Sequence, residues 1–530
     1  MSVEPLSADF TAAGQVTVDD MPRLVKEGYT AILCLRPDDE EPEQPKAAEI
    51  AAAAEAAGLQ FGLLPMRSSE RPHEDMLRRL QNIINDLKGD DAKARIYAYC
   101  RSGGRVRIAY DLLRALPGRK HIAAHKFDVV IVGGGSGGIA TAASLIKRRP
   151  ELTIAVIEPA AAHYYQPAWT LVGGGAYSKH ATKRTEASVM PKDVNWVHHA
   201  VTAFRPENDT ILLEDETEIS YKALVVATGL RLNFDAIPGL EETLGKNGVT
   251  SNYRYDLAPY TWELVQGLKA GKAIFTQPPA PFKCAGAPQK AVYLSCDAWA
   301  KRRVNDAISV EFDVAGPALF GVKDFVPVLM SYIQRYKVDL QLNSKLVHVD
   351  GDAKTATFER QVAGKTEIVT QRFDMLHVVP PQSAPKVVRE SALANAEGYL
   401  AVDPQTLQHI TFKNVFGVGD VIGTSNAKTA AAARKQAPII AENLLATMDS
   451  RDLPYIYDGY GGCPLTVENG KVVLAEFGYG GKLMPSFPKW IINGFKPSRV
   501  AWTLKKYGLP FIYWNAMLKG REIMLGLKRR

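Results

Sequence analysis

Two cysteines of this chain stand among neighbours that favour covalent chemistry. Cys284 follows a strand-like run at 272–276, in QPPAPFKCAGAPQKAVYLSC, directly behind Lys283 and at the head of the next expected helix. A helix N-terminus and an adjacent cation both favour the thiolate, the nucleophilic and redox-active form of cysteine. The competing reading is a buried small hydrophobe, the commoner fate of a free thiol. Cys100 ends an expected strand at 94–99 and opens the loop Cys100-Arg101-Ser102-Gly103-Gly104-Arg105 ahead of another helix. A ring of backbone N–H groups there, closed by Arg105, would bind an anion and favour a thiolate.

A nucleotide site accounts for most of the other chemistry-bearing residues. The apolar run 127–132 leads into Gly133-Gly134-Gly135-Ser136-Gly137-Gly138 and on into a helix. Gly133 permits the tight turn, Gly135 lets backbone approach a pyrophosphate, Gly138 lets strand and helix pack closely, and Ser136 opens the helix. The helix N-terminus then offers unsatisfied N–H groups to the phosphates. Glu158, at the end of the next expected strand, is the acid such a site uses on the adenosine ribose. Residues 223–229 end in Ala227-Thr228-Gly229, and residues 414–420 end in Gly419-Asp420. Both resemble the later signatures of flavoproteins built from two dinucleotide folds, where the Asp contacts the ribityl chain, and they point to FAD. No second glycine pattern for a nicotinamide follows the strands at 272–276 and 309–314: prolines and Cys284 occupy the first position and AGPALFGVK the second. Electrons must then enter from something small that reaches a cysteine.

The elements needed to position these residues fit an α/β chain of several parts. At 530 residues it exceeds one compact core, and 46% hydrophobic residues suffice to fold without staples. Five scattered cysteines make a poor disulfide framework and suit a reducing compartment. Neither a signal peptide nor a membrane-spanning run is apparent, so the expectation is a cytoplasmic protein. Residues 1–117 read as a small α/β domain, 118–126 as a linker, 127–480 as a tandem-Rossmann oxidoreductase and 481–530 as a basic aromatic tail. The net charge of +7 is concentrated in that tail, which carries eleven Lys/Arg against Glu522 alone. The rest of the chain is near neutral, which argues against a nucleic-acid partner, and no metal site is expected.

Stretches across 127–520 resemble the sulfide:quinone oxidoreductases: HYYQPAWTLVGGG, KCAGAPQKAVYLS, FGVKDF, MLHVVPPQSAP, AKTAAA, YDGYGGCPL and PFIYWNAML. The resemblance implies two-electron oxidation of sulfide, sulfane sulfur left on a cysteine, and flavin reoxidised by quinone. It assigns the sulfide-derived adduct to Cys284, places Lys428 beside the flavin pyrimidine edge, and puts Pro381 and Gln382 near the isoalloxazine. In that pattern a second redox cysteine directly follows Gly-Asp, whereas Val421 and Ile422 stand here. Cys296, twelve residues beyond Cys284, would lie about 18 Å away along a helix, and Cys463 reads as a packed structural thiol. The usual two-cysteine cycle is therefore not expected.

Residues 1–117 resemble the phosphatase-like domain found joined to sulfur-metabolising enzymes. Tyrosine-phosphatase loops place the Arg six residues after the Cys, which is Val106 here; the rhodanese-type loop is one shorter and fits Arg105. Sulfur transfer through a Cys100 persulfide, supplied directly or through glutathione, is favoured over phosphate hydrolysis, in which Asp38 or Asp39 would be the acid. In the tail, aromatic residues alternate with basic ones, and Phe511, Trp514 and Leu518 fall at helical spacing. This favours peripheral attachment to an anionic membrane surface, the inner face, where quinone resides. Two further readings remain: an N-terminal phosphatase joined to a flavoprotein for another thiol or quinone, and a redox-sensing flavoprotein without turnover.

Overall fold

Short, wholly apolar runs build the N-terminal unit. Strands β2 (Phe10–Ala13), β3 (Ala31–Cys34) and β5 (Ile96–Tyr99) are buried at every position, as expected of central strands covered on both faces. With β1 (Val3–Ser7) and β4 (Gln60–Leu63) they form one sheet in the order β1-β2-β5-β3-β4, parallel except for β1. One face packs against α3 (Glu74–Lys88) and α4 (Gly104–Ala115), the other against α1 (Met21–Lys26) and the Ala-rich α2 (Ala47–Ala56). Cys100 follows the C-terminal end of β5, where an α/β sheet presents its loops.

The computed structural model describes residues 3–67, 72, 74–88, 93–115, 126–523 and 525–530. It divides into two units, Met1–Ala123 and Ala124–Arg530. The linker expected at 118–126 lies outside the described residues except for Lys126.

In the larger unit, β6 (Lys126–Val132) pairs in parallel with β7 (Ile154–Ile157) and β11 (Glu218–Val226). With β8 (Asn195–Val197), β9 (Val201–Arg205) and β10 (Thr210–Leu213) the sheet order is β8-β7-β6-β11-β10-β9. A second parallel sheet runs β12-β16-β13-β14-β15, from β12 (Val249–Thr250), β13 (Gly271–Gln277), β14 (Ile308–Val314), β15 (Asp339–Leu342) and β16 (Met375–His377). These are the two dinucleotide-type folds read from the sequence. Late in the chain β17 (Val415–Gly417) returns to the first sheet, with Gly417 opposite Val226 on β11. That register brings Gly419-Asp420 beside Ala227-Thr228-Gly229, although about 190 residues separate them in sequence.

Helix α5 (Ser136–Arg148) follows β6, and α6 (Ala287–Lys301) follows β13 with Pro288 in its first turn. Pro is tolerated there because its missing N–H has no helical partner. Helix α7 (Ala430–Met448) is capped by Thr429, whose hydroxyl accepts from Ala432 N at 3.2 Å. After β18 (Tyr455–Ile456), a hairpin of β19 (Gly461–Glu468) and β20 (Lys471–Phe477) packs on α6.

The tail is part of the fold. Helices α8 (Arg499–Thr503) and α9 (Leu509–Asn515) flank a π-helical turn, and β21 (Lys528–Arg529) pairs with β18. The stripe Phe511–Trp514–Leu518 is not one face: Trp514 and Leu518 are buried against α5 and α7, while Phe511 is 64% exposed. Among the described residues no helix is long and apolar enough to cross a membrane.

Candidate active site

The glycines shape the nucleotide cradle. A Cβ on Gly133, whose φ is +110°, would meet Ala227 O at 2.5 Å, and one on Gly138 would meet Gly133 O at 1.8 Å. A Cβ on Gly135 would meet nothing within 4 Å, so that backbone faces open space. The space is a cavity of about 710 Å³ whose walls include Gly135, Thr228, Asp420, Lys428 and Cys284. Thr228 Oγ1 and both amide atoms of Asn252 are buried on its wall without a hydrogen-bond partner. Close-approach glycines, open room and unspent polar atoms fit a dinucleotide.

The charged groups around it are constrained. Glu158 accepts from Gly134 N at 2.7 Å and Ala160 N at 2.8 Å, which fixes its carboxylate at the cavity. Gly419, at φ +79°, donates to Gln436 Oε1 at 2.8 Å. Burial raises the Asp420 carboxyl above its usual range. Burial also lowers Lys428 to about 8, and its ammonium donates to Ile422 O at 2.8 Å. Gln382 Oε1 accepts from Lys283 N at 2.9 Å, next to Cys284, while Pro381 O accepts from Asn233 N at 2.9 Å.

The cysteines depart from the sequence reading. Cys463 Sγ lies 3.8 Å from Cys284 Sγ. Cys463, on β19, is packed in the core as expected, but its sulfur packs beside that of Cys284, a neighbour the sequence reading did not foresee. The fold achieves this with one glycine: a Cβ on Gly286 would meet Cys463 Sγ at 2.6 Å. Cys284 itself adopts φ +53°, a left-handed conformation that costs a non-glycine residue about 1 kcal/mol or more. Hydrogen bonds hold it there, Cys284 N to Lys428 O at 2.8 Å and Ala287 N to Cys284 O at 2.7 Å. Cys284 thus sits three residues ahead of the first helical residue, turned toward the cavity.

Two buried lysines serve this pair. Lys290, one turn into α6, donates to Cys284 Sγ at 3.2 Å. The hydrogen bond from Cys463, together with the Lys290 and Lys505 charges, holds the Cys284 thiol well below its usual range against the opposing effect of burial. Cys463, hydrogen-bonded to Cys284 and buried, is pushed well above its range. One thiolate is therefore shared unequally, and Cys284 carries it. Lys505 enters from the tail's π-helical turn, and burial and Lys290 lower it to about 7. Cys296, also buried, is pushed up by desolvation and packs in the core.

In the N-terminal unit Gly103 N donates to Cys100 Sγ at 3.2 Å, so part of the expected N–H ring is present. Arg105 is committed elsewhere: its fork binds the Glu40 carboxylate at 2.7 and 2.6 Å and also reaches Met66 O. Arg36 bonds Glu40 at 3.1 Å and Glu41 at 2.5 Å, and Arg101 pairs with Glu41 at 2.7 Å. Asp38 caps α2 through Ala47 N at 2.7 Å and Asp39 pairs with Arg67, so both candidate acids are occupied.

The sequence matches two family profiles, the phosphatase-like domain of beta-lactamase hydrolase-like protein over residues 3–117 and pyridine nucleotide-disulphide oxidoreductase over 127–261. A mitochondrial sulfide:quinone oxidoreductase of Dictyostelium discoideum is 43% identical, over 74% of this chain and 86% of that protein. The chain belongs to the sulfide:quinone oxidoreductase family. The mitochondrial enzyme of Mus musculus is 37% identical, over 75% of this chain and 88% of its own. The solved sulfide:quinone oxidoreductase of Aquifex aeolicus shares the fold, with TM-score 0.62 and 20% identity, covering 75% of this chain and 92% of that one. The family fixes the cofactor as FAD, carried by an oxidoreductase joined to a phosphatase-like domain.

Proposed function

We propose that the Cys284–Cys463 pair is the centre at which this enzyme oxidises sulfide, with two electrons passing through FAD to quinone. The observation that carries this reading is the 3.8 Å separation of two sulfurs at the FAD cavity, with a buried ammonium on one of them. A disulfide needs S–S of about 2.05 Å, an approach that side-chain rotation can supply. Gly133, Gly135, Ser136 and Gly138 would hold the pyrophosphate, Glu158 the ribose, and Ala227, Thr228, Gly229, Gly419 and Asp420 the ribityl chain, with Lys428 at the flavin.

In the oxidised state the two sulfurs are joined. Hydrosulfide attacks Cys463, because Cys284 forms the better thiolate and is the better leaving group. The protein S–S bond breaks, a new one leaves a persulfide on Cys463, and Cys284 departs as a thiolate beside Lys290. A small thiolate such as glutathione removes the outer sulfur and returns Cys463 as a thiol. The two cysteines then rejoin, giving up two electrons and the Cys463 proton. Bound FAD supplies the two-electron acceptor that quinone reoxidises. Lys290 and Lys505 favour the thiolate throughout, and the cavity's apolar walls strengthen that charge effect.

Cys100 is a natural recipient of the sulfane sulfur from the acceptor thiol, with the Gly103 N–H already at its sulfur and Arg105 released to the site only when an incoming anion displaces Glu40. Exposed Trp490, Tyr507 and Phe511, beside the lysines and arginines of the tail, suit attachment to an anionic membrane surface. The deciding experiment follows flavin bleaching by sulfide without oxygen, then recovery on adding a soluble quinone. Bleaching and recovery should be lost in Cys284→Ser and in Cys463→Ser. An unbleached wild-type flavin would overturn the proposal.

A further inference from the structure

Tyr513, in the tail, lies at the nucleotide cradle. It is buried on the wall of the FAD cavity, and its hydroxyl donates to Ser136 Oγ at 3.1 Å, at the first turn of α5. On its other side Tyr513 Oη is 2.6 Å from His163 Nε2, and His163 Nδ1 is 3.2 Å from Glu186 Oε2. His163 and Glu186 are both buried. Burial pushes the Tyr513 phenol up and the Glu186 carboxyl up, so the phenol keeps its proton. No sequence pattern links this line of groups, because its members stand at 136, 163, 186 and 513.

The line has a direction. A serine hydroxyl has one proton to donate and two lone pairs to accept with. When the Glu186 carboxyl, raised by burial, holds its proton, it donates to His163 Nδ1, His163 Nε2–H donates to Tyr513 and Tyr513 donates to Ser136. The Ser136 proton is then directed away from Tyr513 and toward the cavity, where the helix N-terminus already favours an anion. We propose that Tyr513 is a positioning residue for FAD, orienting Ser136 as a donor to the pyrophosphate and so making cofactor retention depend on the seating of the C-terminal segment. The proposal rests on FAD lying at the Gly133–Gly138 loop.

The rest of the segment is tied down to match. Arg148 of α5 pairs with Glu522 at 2.7 Å, Arg434 of α7 donates to Ile523 O, and β21 pairs with β18. Gly520, at φ +63°, lies so close to α5 that a Cβ would meet Ala143 O at 2.6 Å. Leu525 and Gly526 also line the cavity. Residues 513–523 and 525–529 therefore form a strap across the dinucleotide fold, held at both ends.

The test is FAD release from the holoenzyme, read as the rise in fluorescence of freed flavin, in wild type, Tyr513→Phe, Ser136→Ala and the double variant. Tyr513→Phe keeps the ring and its packing. The expected result is release about tenfold faster in each single variant and no further increase in the double variant, because both remove one shared interaction. Unchanged release in Tyr513→Phe, or the same increase whether or not Ser136 is present, would overturn the proposal. If Ser136→Ala alone has no effect, the underlying placement of the pyrophosphate fails instead. Gly520→Val, which should unseat the strap, is expected to speed release in wild type and less so in Tyr513→Phe; equal effects in both would count against the coupling.

Discussion

Cys284 and Cys100 both follow a parallel strand on the approach to a helix, yet their surroundings differ in kind. Cys284 has a second thiol at 3.8 Å and a buried lysine that donates to its sulfur at 3.2 Å. Cys100 has three arginines on neighbouring positions, but Arg36, Arg101 and Arg105 are spent on Glu40 and Glu41. A cation engaged by a carboxylate is worth much less to a thiolate than one that is free, because the two fields largely cancel. The lesson is that a reactive cysteine is made by uncommitted charge as well as by its place in the fold. Cys284 is equipped for redox turnover and Cys100 for a step in which an incoming anion competes with a resident carboxylate.

Removing one partner of the pair should have the largest effect. Cys463→Ser and Cys284→Ser are each expected to slow sulfide-driven flavin reduction at least about a thousandfold, as loss of a nucleophile commonly does, while Cys100→Ser keeps it within about twofold. Stopped-flow absorbance of the flavin checks this. A large loss in Cys100→Ser would erase the distinction between the two sites.

The next effect concerns pH. The Cys284 thiol lies well below its usual range, so the thiolate is already formed at neutral pH and alkylation of Cys284 should be nearly flat from pH 8 to 6.5. An ordinary thiol with pKa near 8.5 would slow by about 25-fold across that range. Lys290→Met should restore the slope, measured by iodoacetamide labelling and peptide mass analysis of the reduced enzyme.

A smaller change is expected at the tail. Replacing Trp490, Tyr507 and Phe511 together by Ser should weaken binding to anionic vesicles by about tenfold or more, given about 1 kcal/mol or more per interfacial aromatic, without altering sulfide bleaching in solution. Vesicle sedimentation measures it. In the N-terminal unit, Glu40→Gln leaves Arg105 partly buried without its carboxylate and Arg36 with Glu41 alone. A stability loss of about 1–3 kcal/mol is expected, and added sulfate or thiosulfate should recover part of it in a thermal melt. No recovery would mean the arginines are not available to an outside anion.

Much of this was legible in the sequence. The cradle at Gly133–Gly138, Glu158 and the late Gly419-Asp420 follow from local rules for dinucleotide folds, so short patterns sufficed. Cys463 was not legible, because its closeness to Cys284 depends on a hairpin 179 residues away in sequence and on Gly286 leaving room. The clue was present in GGCPL, where a cysteine follows two glycines, but spacing along the chain carries no information about a tertiary approach of that length. The tail misled for the opposite reason: helical spacing grouped Phe511 with Trp514 and Leu518, while Phe511 is exposed and Trp514 buried on one short helix and a break after Asn515 separates Leu518 from both. Arg105 was expected to close the loop but stands in the first turn of α4, and its partner Glu40 comes from a loop of no regular pattern.

The central claim is that Cys284 and Cys463 exchange electrons with FAD as one disulfide-forming pair. Anaerobic reductive titration of the oxidised holoenzyme tests it most directly, with the flavin followed by absorbance and the thiols counted at the end. The account predicts uptake of about four electrons per chain in wild type, two for the flavin and two for the disulfide, and about two in Cys463→Ser. Uptake of about two electrons in both, with two free thiols at these positions from the start, would contradict it.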